Sequence, residues 1–130
     1  MLSDSSSSVL TTPLVDVSAL SLALADFARA RDWDQYHSPK NLVMALTGEI
    51  GELSEIFQWL TEAASRTVAT DPETASAVRE EIADIVLYLV RLSDVLGIDL
   101  NQAVSDKLKK NAINYPIDKA RGSSRKYNQL

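Results

Sequence analysis

The sequence predicts an all-α protein with four long helices. Apolar residues recur at helical spacing, and helix start and stop signals divide the chain into segments of helical length. Interruptions are rare, with four Gly and four Pro in 130 residues. We expect the helices at about 18–31, 39–65, 72–96 and 100–114.

The first helix follows a leader, residues 1–13, whose Ser/Thr-rich composition predicts disorder. Ser18 is the expected N-cap. Apolar residues at helical spacing predict a buried face. That face would contain Val17, Leu20, Leu24, Phe27 and Ala30.

The second helix has a clear start signal in Ser38 as N-cap and Pro39 at the first helical position. It should run to about Ser65. Gly48 and Gly51 each cost such a helix about 1 kcal/mol relative to Ala. Two such costs close together indicate that a neighbouring helix or a ligand approaches the backbone.

The third helix is predicted from Asp71-Pro72, a cap followed by proline, to a stop at Gly97. Its middle, Ile85–Val90, is apolar on every side apart from one tyrosine hydroxyl. Such a segment must be buried on more than one side, in the core or in a subunit interface.

The fourth helix should begin after Asp99 as N-cap and end before Pro116. Together the four helices would form a helical domain of residues 14–116. The tail that follows, residues 117–130, carries four basic residues against one acid, Asp118. The acids therefore lie in the middle of the chain and the bases gather at its end.

Composition limits the function. The net charge of −5 argues against a broad polynucleotide-binding face. The absence of cysteine excludes disulfides and thiolate metal sites. The longest uninterrupted apolar run is too short to cross a bilayer, and the N-terminus lacks the features of a signal or transit peptide. We therefore expect a cytoplasmic protein without membrane contact.

Two acid pairs are the strongest chemical signal. Glu49 and Glu52 lie three residues apart, as do Glu81 and Asp84, so each pair shares a helix face. Helical acids usually face solvent, and 18 acids make some such spacing expected by chance. These acids, however, border apolar stripes, and no Lys or Arg lies three or four residues from Glu49 or Glu52. Four converging carboxylates would repel one another unless a cation lay among them.

The ligand chemistry favours a hard cation. Oxygen ligation without Cys, in a chain with a single His, favours Mg²⁺ or Mn²⁺ over zinc. A di-iron bundle usually carries Glu-x-x-His motifs, and the one histidine lies outside both acid pairs. Magnesium held by carboxylates usually completes its shell with water and substrate phosphates, which favours a nucleoside triphosphate as substrate. Trp33, Tyr36, Trp59 and Tyr88 could stack on its base, although Trp59 and Tyr88 could also be ordinary core aromatics.

These residues also carry a family resemblance. Both acid pairs, separated by residues 53–80, resemble the signature of the all-α MazG-like nucleoside triphosphate pyrophosphohydrolases. The match is closest to the dCTP pyrophosphatase branch and covers about residues 22–130. It is carried by FARARDWDQYHSPKN, ALTGEIGELSEIFQW, REEIADIVLYLV, the NxxxYP of 111–116 and the ending SSRKYNQL.

The resemblance implies a four-helix bundle that assembles into a homotetramer. It implies hydrolysis of a deoxynucleoside triphosphate, dCTP or a modified dCTP, to the monophosphate and pyrophosphate. The implied metal-binding and catalytic residues are Glu49, Glu52, Glu81 and Asp84. The implied substrate-binding residues are Trp33, Asp34, Gln35, Tyr36, His37, Trp59, Tyr88, Lys107 and Asn111. Close dCTP-specific relatives carry a histidine on the first helix where this chain has Leu24, so strict cytosine selection does not follow.

The mechanism expected from this arrangement begins with a water positioned by a carboxylate of the Glu49/Glu52 pair. The water attacks the α-phosphorus, and pyrophosphate leaves. Two alternatives remain open. One is the same chemistry on dUTP, dATP or an oxidised dNTP, because base selectivity depends on single hydrogen bonds. The other is a catalytically idle helical assembly module that uses the third helix as its interface.

Overall fold

The computed structural model describes residues 12–130, so all but the last two residues of the predicted leader lie outside the described part of the chain. Every regular element in residues 12–130 is helical, which confirms the all-α prediction. The α-helices are α1 (Ser18–Ala30), α2 (Pro39–Phe57), α3 (Glu62–Ser65), α4 (Ala75–Val95), α5 (Leu100–Asn114) and α6 (Ile117–Ala120). Short 3₁₀ turns span Asp34–Tyr36 and Tyr127–Gln129. Two compact units result, one of Val17–Ile98 and one of Asp99–Leu130 with residues 12–16.

Helix α2 begins as predicted but ends eight residues early. Ser38 is the N-cap, and its hydroxyl accepts a hydrogen bond from the Asn41 amide at 3.2 Å. The helix stops at Phe57 instead of continuing to Ser65. The reason is local, because Thr61 caps a new short helix, α3, by accepting from the Ala64 amide at 3.1 Å. A side chain that caps its own backbone competes with continuation of the preceding helix.

Helix α4 starts later than Pro72 predicts and ends as predicted. The Asp71 carboxylate accepts from the Glu73 amide at 2.9 Å, which makes a turn before Ala75, the first helical residue. At the other end the Gly97 amide donates to the Asp94 carbonyl and the Ile98 amide to the Ser93 carbonyl. Gly97 has φ 68°, so the two bonds form a Schellman motif.

Helix α1 differs from its prediction in both cap and buried face. Val17 is the N-cap and Ser18 the first helical residue. The fully buried residue is Ala28, whereas Phe27 is 47% exposed and Ala30 is exposed. Val17, Leu20 and Leu24 are partly buried as predicted, so the inward face departs from the prediction only at its C-terminal end, where Ala28 replaces Phe27 and Ala30.

The core of the first unit lies where α4 packs against α2 and α1. Ala28, Leu42, Val78 and Val90 are buried there. Burying such side chains is the main favourable term in folding.

The outer side of α4 is different from the buried side. Ile82, Val86 and Leu89 share one helix face and are 50%, 43% and 41% exposed within residues 12–130. Within the described chain the helix is thus buried on one side only, so the prediction of two-sided burial in the core is wrong. Burial of the outer side in a subunit interface stays a prediction.

The second unit is organised by α5. Asp99 caps the helix as predicted, accepting from the Gln102 amide at 3.0 Å, and Asn114 is its last residue. The Asn101 amide oxygen accepts from the Leu14 and Val15 amides at 2.8 and 3.2 Å, which ties residues 12–16 to this helix. None of the helices in residues 12–130 has the length and apolar character that crossing a membrane requires.

Candidate metal centre and adjoining pocket

Three carboxylates meet where α2 faces α4. Glu49 and Glu52 lie one turn apart on α2, and Glu81 approaches them from α4. One oxygen from each lies within 4.8 Å of the other two. The sequence predicted this convergence for three of its four acids.

Two oxygens in this cluster have no protein partner. Glu49 Oε2 and Glu81 Oε2 are buried, and neither makes a hydrogen bond within residues 12–130. A proton on Glu81 would be shared with the Glu49 carboxylate; this interaction, burial and the neighbouring Glu52 carboxylate raise the pKa of Glu81 to about 7. Near neutral pH the cluster is therefore poised between binding a proton and binding another cation.

The donor set fits a divalent metal ion. Carboxylate oxygens are the ligands that hard divalent cations prefer, and buried oxygens without partners are what such an ion would satisfy. No basic side chain within residues 12–130 forms an ion pair with these acids. The triad is thus a site that could hold a metal.

Asp84 is the predicted fourth acid and lies one turn beyond Glu81. It is not part of the group of three within 4.8 Å of one another in the described chain. Its carboxylate instead lines a pocket of about 240 Å³. Because residues three apart share a helix face, one face of α4 carries both Glu81 of the cluster and Asp84 of the pocket wall.

The pocket has apolar walls and a few ionisable groups. Its apolar and aromatic lining comprises Leu24, Phe27, Trp33, Leu87 and Tyr88. The ionisable residues are His37, Asp84 and Arg91. The Trp33 ring packs edge-on against Phe27 at 5.7 Å and His37 at 6.4 Å between centroids. Apolar walls with a few converging polar groups are typical of small-molecule sites.

Arg91 is the charged pocket residue that the sequence analysis missed, along with the apolar residues Phe27 and Leu87. Its side chain is 11% exposed, and its guanidinium donates to His37 Nδ1 at 3.1 Å and to Asp34 Oδ1 at 3.0 Å. A third contact reaches Asp94 Oδ2 at 3.5 Å. One signal could have found it, because Asp84, Tyr88 and Arg91 follow the i, i+4, i+7 spacing of one helix face.

His37 is held in an unusual electrostatic setting. Burial lowers the pKa of its imidazole, and the positive charge of Arg91 lowers it further, while the Asp34 carboxylate acts in the opposite direction. The ring therefore stays neutral to lower pH than a free histidine does.

Comparison with known proteins assigns the chain to a family. Residues 45–130 match the MazG-like family. The chain belongs to the MazG-like family. Over 106 residues, 82% of this chain, it is 45% identical to human dCTP pyrophosphatase 1 and 44% identical to the rat protein of that name. It spans only 62% of the length of each of these relatives.

A solved structure agrees with the family assignment. A pyrophosphatase from Archaeoglobus fulgidus superposes with a TM-score of 0.71 at 39% sequence identity. The match covers 77% of this chain and 92% of the archaeal one. The MazG-like fold is thus shared along most of both chains.

The other residues predicted from the MazG-like resemblance do not line the pocket. Gln35 Nε2 donates to the Asp32 carboxylate at 3.1 Å. Tyr36 is 61% exposed, and its carbonyl accepts from Asn41 Nδ2 at 3.0 Å. Trp59 is 88% exposed, so its reading as a core aromatic is wrong for the described chain. Their contact with a nucleotide stays a prediction.

Lys107 and Asn111 lie one turn apart on α5, in the second unit. Their predicted place near the phosphates also stays a prediction.

The glycines beside Glu49 are not required by packing inside the described chain. Apart from the backbone of α2 itself, a Cβ at Gly48 or Gly51 would meet no atom of the described chain within 4 Å. A neighbouring helix of the described chain is therefore not the reason for these residues, and the remaining interpretation is clearance for another molecule.

Proposed function

We propose that this MazG-like protein hydrolyses a deoxynucleoside triphosphate, dCTP or a modified dCTP, to the monophosphate and pyrophosphate. The observation that carries the proposal is the arrangement on α4, where Glu81 joins the acid cluster and Asp84 lines the aromatic pocket one turn away. The proposed phosphate site would thus lie beside the proposed base site. Relatives named dCTP pyrophosphatase 1 support the choice of substrate.

The proposed cofactor is Mg²⁺, with Mn²⁺ as a substitute. Glu49, Glu52 and Glu81 would hold it together with Asp84. A bound Mg²⁺ neutralises phosphate charge and makes a water more acidic. The buried, unpartnered oxygens of Glu49 and Glu81 support this assignment, since a cation satisfies both.

The chain's own residues then divide the work. Glu81 would hold the metal ion as a carboxylate, and because its pKa is raised to about 7, binding of the ion would compete with binding of a proton. A carboxylate of the Glu49/Glu52 pair accepts a proton from the attacking water. The water oxygen bonds to the α-phosphorus as the bond from that phosphorus to the α,β-bridging oxygen breaks. Pyrophosphate leaves with the electron pair.

The pocket supplies base binding. Trp33 and Tyr88 offer rings on which a base can stack, a contact worth about 1–3 kcal/mol for each good stack. Leu24 contributes an apolar wall where close dCTP-specific relatives are expected to carry a histidine. Other deoxynucleotides, dUTP, dATP or an oxidised dNTP, are the alternative substrates.

Self-association into a homotetramer in the cytoplasm completes the proposal. The exposed apolar face formed by Ile82, Val86 and Leu89 supports it, because it lies on the helix that carries Glu81. Light scattering of the purified protein tests the oligomeric state.

The decisive experiment is a pyrophosphate-release panel over the four dNTPs, the four NTPs and 5-modified dCTPs, with and without Mg²⁺. We expect Mg²⁺-dependent release that is highest with dCTP or a 5-modified dCTP. Release that is highest with another dNTP would move the substrate assignment to that nucleotide. No release from any triphosphate would favour the idle assembly module.

A further inference from the structure

We propose that Arg91 is a positioning residue that fixes His37 as its Nε2–H tautomer, so that the pocket offers a neutral N–H donor to a hydrogen-bond acceptor on the ligand's ring. The inference deepens the proposed function, on which it rests for the identity of the ligand as a nucleobase.

The tautomer follows from the contact between the two side chains. A guanidinium has five N–H donors and no acceptor. Arg91 Nε lies 3.1 Å from His37 Nδ1, so Nδ1 must accept this hydrogen bond. In a neutral imidazole the nitrogen that accepts carries no hydrogen, and the ring hydrogen is therefore on Nε2.

The surroundings of Arg91 keep this contact in place. The guanidinium also donates to Asp34 Oδ1 at 3.0 Å, and its contact with Asp94 Oδ2 is 3.5 Å. Asp34 belongs to the 3₁₀ turn just before His37, whereas Arg91 and Asp94 belong to α4. The guanidinium thus clamps the turn to the helix and orients the imidazole at the same time.

Charge supports the neutral form of the ring. A proton on Nδ1 would point an N–H at a guanidinium that is only 11% exposed. The Asp34 carboxylate raises the pKa of His37 and so favours the protonated ring, but this carboxylate is already paired with Arg91. Asp84 is the other charged residue lining the pocket. A neutral, single tautomer is the state that these contacts favour.

The remaining nitrogen is available to a ligand. His37 lines the pocket of about 240 Å³, and Nε2 makes no hydrogen bond within residues 12–130. A donor of fixed identity selects a ring that presents a carbonyl oxygen or an unprotonated ring nitrogen. Cytosine offers both, at O2 and N3, and uracil offers a carbonyl, so this contact alone does not separate them.

The tautomer can be observed directly, because His37 is the only histidine in the chain. A sample labelled with ¹⁵N-histidine gives one Nδ1 and one Nε2 signal in two-dimensional spectra. We expect the wild-type protein to show an unprotonated Nδ1 and a protonated Nε2 at neutral pH. A protonated Nδ1, or averaged shifts typical of exchanging tautomers, would overturn the inference.

Variants test the role of Arg91. In Arg91→Met the imidazole loses its donor partner, and we expect the two tautomers to mix. Arg91→Lys retains a donor and should keep the Nε2–H form predominant. Arg29→Met is the matched control, since Arg29 pairs with Asp26 on the surface, where the two side chains are 70% and 73% exposed. An Arg91→Met spectrum identical to that of the control would contradict the proposal.

Ligand binding completes the test without any turnover. Titration with dCMP should move the Nε2 signal, and titration with 2-deoxyribose 5-phosphate, which lacks a base, should not. Loss of a well-oriented neutral hydrogen bond predicts that Arg91→Met weakens dCMP binding by roughly five- to twentyfold. Wild-type affinity in Arg91→Met would overturn the inference, and the wild-type tautomer spectrum decides the matter if that variant fails to fold.

The outcomes separate this inference from the proposed function. Pyrophosphate release without any response of His37 to dCMP would leave the function standing and remove the inference. An Nε2–H tautomer that responds to dCMP, in a protein that releases no pyrophosphate, would do the reverse.

Discussion

Two polar clusters are centred ten residues apart on α4. In one of them like charges are close together without partners, and in the other opposite charges are paired. Around Glu81, three like charges converge, and two buried oxygens have no partner within residues 12–130. Around Arg91, a guanidinium is paired with two carboxylates and an imidazole. The first cluster is incomplete without something from outside the chain, whereas the second is satisfied within it.

The difference indicates that the Glu81 cluster binds a ligand and that the Arg91 cluster stabilises the structure around it. Unpartnered like charges destabilise the fold and persist where a ligand satisfies them. A partnered network holds neighbouring side chains in fixed orientations. We therefore expect changes at Glu81 to affect activity more than stability, and changes at Arg91 to affect stability and binding.

Replacing Glu81 with Gln should give the largest effect. Removing one carboxylate from a cluster that stabilises charge predicts a loss of at least 100-fold in pyrophosphate release. The free energy of unfolding of the metal-free protein should not fall at pH 8, because the change relieves repulsion. Activity assays and urea denaturation of the same samples check both expectations.

Glu80→Gln is the control for that substitution, since Glu80 is exposed and precedes Glu81 on α4. It should leave the rate of pyrophosphate release close to that of the wild type. Equal losses of pyrophosphate release in the two variants would show that Glu81 contributes no more to activity than an exposed acid on the same helix.

Replacing Arg91 with Met should lower the free energy of unfolding by about 1–3 kcal/mol, through loss of hydrogen bonds from a charged and largely buried group. Arg29→Met breaks an exposed pair and should cost no more than about 0.5 kcal/mol. Urea denaturation compares the two. A cost at Arg91 no greater than at Arg29 would show that the second cluster does not stabilise the fold.

The acid cluster should also make stability depend on pH. The pKa of Glu81 is raised to about 7 in the folded protein. At pH values between the ordinary pKa of a glutamate and 7, the folded state therefore binds more protons than the unfolded state. Its contribution is therefore full at acid pH and is lost as the pH rises through 7.

Metal binding should reverse this trend, because the ion takes the place of the proton. We expect Mg²⁺ to raise the melting temperature more at pH 8 than at pH 6, by calorimetry. Removal of Mg²⁺ with a chelator should return the melting temperature at each pH to that of the protein without Mg²⁺. A shift that is equal at both pH values would separate Glu81 from the metal site.

The smallest effect is expected at Gly48. Gly48→Ala should stabilise the free protein by about 0.5–1 kcal/mol, because Ala favours the helix and its Cβ meets no atom of the described chain within 4 Å apart from the backbone of α2 itself. If the glycine provides clearance for another molecule, the same variant should lose pyrophosphate release or self-association. Increased stability with both properties intact would leave the glycine without a functional explanation.

Local signals made most of the fold predictable. The Ser38 and Asp99 caps, the Schellman stop at Gly97 and the break at Pro116 each act within a few residues, and sequence patterns capture such signals. The early end of α2 was missed because Thr61 was not recognised as a competing cap.

The site was predictable where helix periodicity alone brings residues together. The acids of each pair are three residues apart, so the convergence of Glu49, Glu52 and Glu81 required only that α2 and α4 pack. The Arg91–His37 contact joins residues far apart in sequence, and no local pattern encodes it. Likewise Phe27 lines a pocket instead of the core because Trp33 packs against it.

The two tryptophans of the chain lie in different surroundings, and the end of α2 at Phe57 is what places Trp59 outside that helix. Trp33 lines the pocket, and Trp59 is 88% exposed. Intrinsic fluorescence therefore has two components: Trp33 emission should be quenched by a base stacked on the ring, while Trp59 should emit as a solvated indole. A Trp59→Phe variant isolates the first component, and Trp33→Phe isolates the second. A nucleotide-dependent change in Trp59 emission would then indicate that this exposed ring meets the ligand only in an assembled or rearranged protein.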